Sequence, residues 1–196
     1  GLMYEGKRIV RAYSVVSPPW AEELEFLSIK IQDGELTSKL QHIEVGSEIV
    51  IMPKCTGTLV NHALTKGGDL WMLATGTGLA PFMSLIRDLD ILETWNKIHI
   101  VHSVRDTSDL AYHNDLITAF KDHPQDGELH EMIAEVLDYK AIITGKGDRR
   151  ITTPLAIGEL PIDVVNDKIM VCGNLEFNHQ VAAWCDAHSM PEGSVR

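Results

Sequence analysis

The 196-residue chain is 44% hydrophobic and 23% charged, which is ordinary for a soluble globular protein of one or two domains with a real core. Seventeen Lys and Arg against twenty-eight Asp and Glu give a net charge of −11, which argues against general nucleic-acid binding and its need for a basic face. No apolar run approaches the roughly 20 residues of a membrane helix, and no signal peptide is visible at Gly1-Leu2-Met3-Tyr4.

In chain order, the first third reads as β. Residues 8–16 and 25–32 are short β-rich runs broken by Ser17-Pro18-Pro19 and Asp33-Gly34, and Ile49-Val50-Ile51-Met52 ends at Pro53. This predicts antiparallel strands of a barrel or sandwich. The rhythm changes after a polar stretch over residues 61–68. Leu70-Trp71-Met72-Leu73-Ala74 reads as a buried strand, followed by a helix with Pro81 near its first position. A strand is expected at 98–102, helices at 110–120 and 129–137, strands at 141–144 and 169–173, and a last helix at 177–187. Strands alternating with helices predict a doubly wound α/β parallel sheet. The expected domains are 1–63 and 64–196.

Four features carry chemistry. Thr75, Gly76, Thr77 and Gly78 lie where a strand ends and a helix begins, a place where free N–H groups favour an anion. Pro81 stands where a GxGxxG motif has its third glycine, and a ligand-free glycine turn is the plainer reading. Cys172-Gly173-Asn174 again follows a strand, at the sheet edge where ligands collect, although a small buried Cys and a turn would look the same. Arg105 follows the 98–102 strand and is able to grip a phosphate in a two-pronged fashion, or to be an ordinary surface charge. In Arg11-Ala12-Tyr13-Ser14, alternation sends Arg11 and Tyr13 to one face and Ser14 to the other.

The three cysteines, Cys55, Cys172 and Cys185, form no CxxC pair, so no iron–sulfur cluster or structural zinc is expected. Their sparse, odd count fits a reducing cytoplasm. His99 and His102 fall on opposite faces of a strand, and no metal role is expected of them.

Taken in order, these segments resemble the bacterial ferredoxin/flavodoxin–NADP reductases of the ferredoxin–NADP reductase superfamily. Arg11-Ala12-Tyr13-Ser14 resembles the RxYS flavin motif, and residues 26–40 resemble the second flavin segment. Residues 75–85 match the GTGLAPFMSL pattern, Val101-His102-Ser103-Val104-Arg105 the VHxVR segment, and Cys172-Gly173-Asn174 the C-G-[SN] motif.

The resemblance implies an antiparallel FAD-binding barrel followed by an NADP-binding domain, with hydride passing between nicotinamide and flavin. It assigns Arg11, Ala12, Tyr13, Ser14, Ser28, Ile29, Lys30, Leu36, Thr37 and Ser38 to FAD. NADP(H) falls to Thr75, Gly76, Thr77, Gly78, Val104, Arg105, Thr144, Arg150, Gly173 and Asn174. Ser14 and Cys172 are the implied catalytic pair, facing each other across the reacting rings. The implied partner is ferredoxin or flavodoxin, with no membrane and no nucleic acid. The family's T-R-E segment reads Thr144-Gly145-Lys146 here, so Lys146, Arg149 or Arg150 is expected to replace the lost Arg. Relative to the family pattern, the chain is expected to lack the first barrel strands and a carboxy-terminal segment. Two other readings stay open: an NADH-linked flavin or oxygenase reductase of the same superfamily, and a nucleotide-binding module without turnover.

Overall fold

The computed structural model describes residues 1–122, 129–145, 150–156 and 158–196. Strands β1 (Leu2–Tyr4) and β2 (Lys7–Ile9) form an antiparallel hairpin. It turns through Glu5 and Gly6, both at positive φ, as a two-residue hairpin turn requires. The first helix, α1 (Thr37–Leu40), is a single turn. Leu2, Ile9 and Leu36 close a small cluster with Tyr13 and Leu40, which draws the hairpin and α1 together.

The longer strands expected at 8–16, 25–32 and 49–52 do not form. What remains of them is a bridge between Val15 and Phe26, and a reciprocal pair of 2.8 Å hydrogen bonds between Gly1 and Val50. Alternation in sequence supplies an apolar face, but a strand exists only where a neighbour takes up its ladder. Among the described residues no closed barrel is built, and Ile29, Ile31, Ile49 and Ile51 stay exposed.

The rest is a layered α/β unit. Strand β3 (Leu70–Thr75) passes through a 3-10 turn (Gly76–Leu79) into α2 (Ala80–Leu85), followed by α3 (Leu89–Thr94). Next come β4 (Ile98–Val104), α4 (His113–Ile117), α5 (His130–Val136) and β5 (Leu137–Ile143). Helix α6 (Thr152–Ala156), β6 (Lys168–Cys172) and α7 (Leu175–Ala187) follow. Three departures from expectation are local. Helix α4 is shorter than 110–120 because Tyr112 at its start and Ala119 and Phe120 beyond its end all take positive φ. Strand β5 starts earlier than expected, because β4 offers it a partner along its whole length. Asn174 caps α7, accepting from Phe177 N at 2.9 Å, so that helix begins two residues sooner.

All four strands are parallel, in the order β5-β4-β3-β6. Leu70, Met72, Ala74, Ile98, Ile100 and Met170 face one layer with Phe82, Met83, Ile91 and Ile133. Trp71, Leu73, Val101 and Ile169 face the other, with Leu155, Phe177 and Val181. Helices therefore cover both faces, and β3 reads as a continuous apolar run for that reason. From β3 the chain goes to β4 and β5 on one side and returns to β6 on the other. That reversal makes the C-terminal ends of β3 and β6 the switch point of the sheet. Residues 194–196 lie parallel beside β6, with Val171 N donating to Arg196 O at 2.7 Å.

Hydrogen exchange tests this division. Amides of β3, β4 and β6 should be the slowest to exchange, and those of residues 43–58 among the fastest. Equal protection in the two regions would mean that the N-terminal third is held by contacts this account omits.

Candidate functional site

At this switch point two turns touch through glycines. A Cβ on Gly78 would lie 2.1 Å from the Cys172 carbonyl oxygen, and one on Gly173 would lie 2.1 Å from Thr75 Oγ1 and 2.7 Å from Phe177 Cδ1. Only hydrogen fits at either Cα, so the β3–α2 turn and the β6–α7 turn lie in direct backbone contact. Gly76 is different: a Cβ there meets nothing within 4 Å, but φ is +52°, which L side chains rarely adopt. The outcome is an exposed Gly76 flanked by half-buried Thr75 and Thr77, with Cys172 half-buried alongside. Burial pushes the Cys172 thiol pKa up, so the side chain is a neutral, compact thiol rather than a thiolate nucleophile.

His102 sits beneath the turn, fully buried, with Nε2 2.9 Å from the Gly76 carbonyl. A carbonyl only accepts, so Nε2 carries the proton and donates. Nδ1 is then an unprotonated acceptor, buried without a hydrogen-bond partner. Desolvation holds the pKa below the ordinary 6.5, outweighing the Gly76 hydrogen bond, and nearby His113 lowers it further. The neutral ring therefore pins the backbone of the turn.

At the end of β4, Arg105 is exposed while Val104 is buried. Thr144 N and Thr144 Oγ1 both reach the Val104 carbonyl, at 2.9 and 3.2 Å, and Gly145 N donates to the Arg105 carbonyl at 2.9 Å. The Arg105 and Thr144 segments are thus stitched side by side on the same sheet edge as the glycine turns. Arg150 is exposed, whereas Lys146 and Arg149 lie outside the described residues.

On the N-terminal side, Tyr13 Oη lies 3.2 Å from Ser28 Oγ, and the Tyr13 ring meets Phe26 edge-on at 6.5 Å. Arg11 pairs with Glu35, both exposed. Thr37 Oγ1 donates to the Ile31 carbonyl at 3.2 Å, and Ser38 N to the Gly34 carbonyl at 3.1 Å. Tyr13 and Ser28 are therefore in contact, while Arg11 and Thr37 are tied to Glu35 and Ile31 in the segment before α1. Ala12, Ser14, Ile29 and Lys30 are exposed. The Leu36 side chain is core, leaving only its backbone for a ligand. The Asn174 carbonyl oxygen is committed to the α7 cap. His102 escaped the sequence reading because nothing in a strand histidine says which carbonyl it will meet.

The chain matches the model of the oxidoreductase NAD-binding domain over residues 72–183. It is 43% identical over 199 residues to a flavodoxin/ferredoxin–NADP reductase of Rhodobacter capsulatus, covering 96% of this chain and 73% of that one. It is 42% identical over 184 residues to a ferredoxin–NADP reductase of Azotobacter vinelandii, covering 89% and 70%. The crystal structure of a ferredoxin NADP+ reductase from Neisseria gonorrhoeae with bound FAD and NADP superposes with a TM-score of 0.80 at 25% identity, over 95% of this chain and 78% of that one.

Gly78→Ala should cost about 1–3 kcal/mol of stability, because a Cys172 backbone atom blocks the new methyl. Gly173→Ala should cost a similar amount, since the Thr75 hydroxyl and the buried Phe177 ring, 2.1 and 2.7 Å from the new methyl, both stand in its way. Thermal melts of the two variants check this, and wild-type stability of Gly78→Ala would show that the turns do not touch as described. For His102 the sign follows from its depressed pKa. Its contribution is complete above the unfolded value of 6.5 and declines below it, where the unfolded chain takes up a proton that the folded chain refuses. Between about pH 7.5 and pH 5, wild type should lose more stability than His102→Gln. Parallel profiles would show that His102 protonates freely in the fold.

Proposed function

The chain belongs to the ferredoxin/flavodoxin–NADP reductase family, and from that premise we infer that it transfers electrons between NADPH and a one-electron carrier protein by way of FAD. The observation that carries this reading is the pair of touching glycine turns at the switch point of the sheet, in a chain so close to these reductases. The gonococcal neighbour binds FAD and NADP, and the residues here fit both.

The fit is physical. A dinucleotide pyrophosphate needs close backbone approach and free N–H groups, and residues 75–78 supply both at the start of α2. An exposed Arg105 beside Thr144 suits an adenosine 2′-phosphate. On the other side, Arg11, Thr37 and Ser38 suit the FAD pyrophosphate, and the half-buried Tyr13 suits stacking on the isoalloxazine. When bound, the nicotinamide and the flavin supply the hydride transfer and the conversion to single electrons. The protein's part is alignment. In our reading Cys172, a neutral thiol, flanks the nicotinamide, and Ser14 offers a hydroxyl near the flavin from the opposite side.

We assign residues 1–63 to the FAD side, as the barrel-type domain of this family, and 64–196 to the NADP side. The carrier is ferredoxin or flavodoxin, as the names of the related reductases suggest. Among the described residues no helix is long and apolar enough to cross a membrane.

Arg105→Ala should raise KM for NADPH by about tenfold and leave KM for NADH nearly unchanged, the value of one charge-assisted contact at an exposed site. An equal loss for both nucleotides would mean that Arg105 contacts a shared group, and the NADH-linked reading would gain. Cys172→Ala should slow flavin reduction more than it weakens NADP+ binding. A fall in melting temperature with an unchanged rate would make Cys172 a core residue only.

A further inference from the structure

We propose that Arg87 is a positioning residue which, with the Tyr112–Glu25 contact, clamps the segment that follows Arg11-Ala12-Tyr13-Ser14 against the nucleotide domain and so sets the spacing between the two halves of the redox site. The proposal rests on the functional reading above.

Arg87 lies two residues beyond α2 and is only 2% exposed. A guanidinium that deep persists only when its donors are taken up. Nη2 donates to the Val16 carbonyl at 2.7 Å and Nε to the Met83 carbonyl at 2.9 Å, and the cation lies over the Phe120 ring at 5.3 Å. Its own backbone carbonyl accepts from Trp20 Nε1 at 3.0 Å. One turn back, Ser84 Oγ donates to the Ser17 carbonyl at 2.8 Å. The C-terminal end of α2 thus grips the carbonyls of two successive residues and the indole three residues on.

A second anchor meets the same segment from α4. Tyr112 Oη donates to Glu25 Oε1 at 2.5 Å. Glu25 in turn is tied to the gripped residues: Val16 N donates to its carbonyl at 2.8 Å, and its own N–H donates to Ser17 Oγ at 3.1 Å. Tyr112 is held at φ 55, a left-handed conformation that costs a bulky residue energy and so implies that its side-chain direction is fixed by its surroundings. Burial, then the Glu25 hydrogen bond, push the phenol pKa up, so it remains a donor at every working pH.

The clamp connects to the chemistry through two short rigid pieces. Helix α2 springs from the Gly76–Leu79 turn, and Ala80 to Arg87 rises about 10 Å. The three residues from Ser17 back to Ser14 reach at most about 10 Å. One end of this linkage is the glycine turn beside Cys172, and the other is Ser14. Apolar contact alone would let the segment slide. Hydrogen bonds to the successive carbonyls of Val16 and Ser17 fix its register, as they do in a sheet.

The test uses Glu25→Ala, Glu25→Gln and Arg87→Met, with and without FAD. In the flavin-free protein, Glu25→Ala and Arg87→Met should speed amide exchange over residues 14–27. In the loaded protein they should slow flavin reduction at saturating NADPH by about tenfold or more, with FAD content and KM for NADPH unchanged. In Glu25→Gln the side-chain amide carbonyl still accepts from Tyr112, so this variant should restore both the exchange and the rate. If Arg87→Met fails to fold, the two Glu25 variants decide. A lower melting temperature with wild-type exchange and wild-type reduction would overturn the clamp, leaving Arg87 a purely structural residue. Failure of wild type itself to show flavin reduction by NADPH would instead overturn the functional reading beneath it, and the proposal with it.

Discussion

A carbonyl oxygen pressed against a glycine Cα decides the shape of this molecule's working edge. Because Gly78 has no side chain, the turn after β3 closes onto the Cys172 carbonyl at the end of β6. Because Gly173 has none, Thr75 and Phe177 close from the other direction. Two strand ends that are adjacent in the sheet are thereby joined above it as well. The turn after β3 and the Cys172 segment at the end of β6 become one rigid unit. Strand order puts both turns there, since β3 and β6 are the neighbours at which the chain reverses direction across the sheet.

Around that unit the polar groups are disposed to stiffen rather than to react. His102 spends its only donor on Gly76 and stays neutral through burial. Cys172 stays a thiol for the same reason. The Thr144 hydroxyl and amide both go to Val104. Arg105 and Ser14 are exposed, and Arg11 is exposed in its pair with Glu35. This division of labour suits chemistry carried by cofactors, in which the protein must hold two rings in register and exclude alternatives.

Much of the nucleotide half was legible in the sequence, for definite reasons. The run at residues 70–74 is apolar on both faces because helices cover both, so periodicity alone marks a buried strand. Glycines before Pro81 mark the turn, whereas Asn174 reads as part of a ligand turn and not as the cap that starts α7 at Leu175. In the N-terminal third, the alternation at residues 25–32 and the apolar run at 49–52 state which residues are apolar and not which strand pairs with them, and the longer strands do not form. Arg87 was invisible for another reason. After an apolar helix an arginine looks like a solvated end, and its true partners, the carbonyls of Val16 and Met83, are backbone atoms that composition never shows. Glu25 and Tyr112, 87 positions apart, could be joined only by the fold.

The account stands or falls on whether the two halves act on each other. The most direct measurement is anaerobic rapid mixing of the FAD-loaded protein with NADPH, following the absorbance of the oxidised flavin. The account predicts stoichiometric bleaching by one equivalent of NADPH, much faster than by NADH at equal low concentration. Tight binding of both nucleotides with the flavin absorbance unchanged would contradict it, and would leave a nucleotide-binding module without turnover.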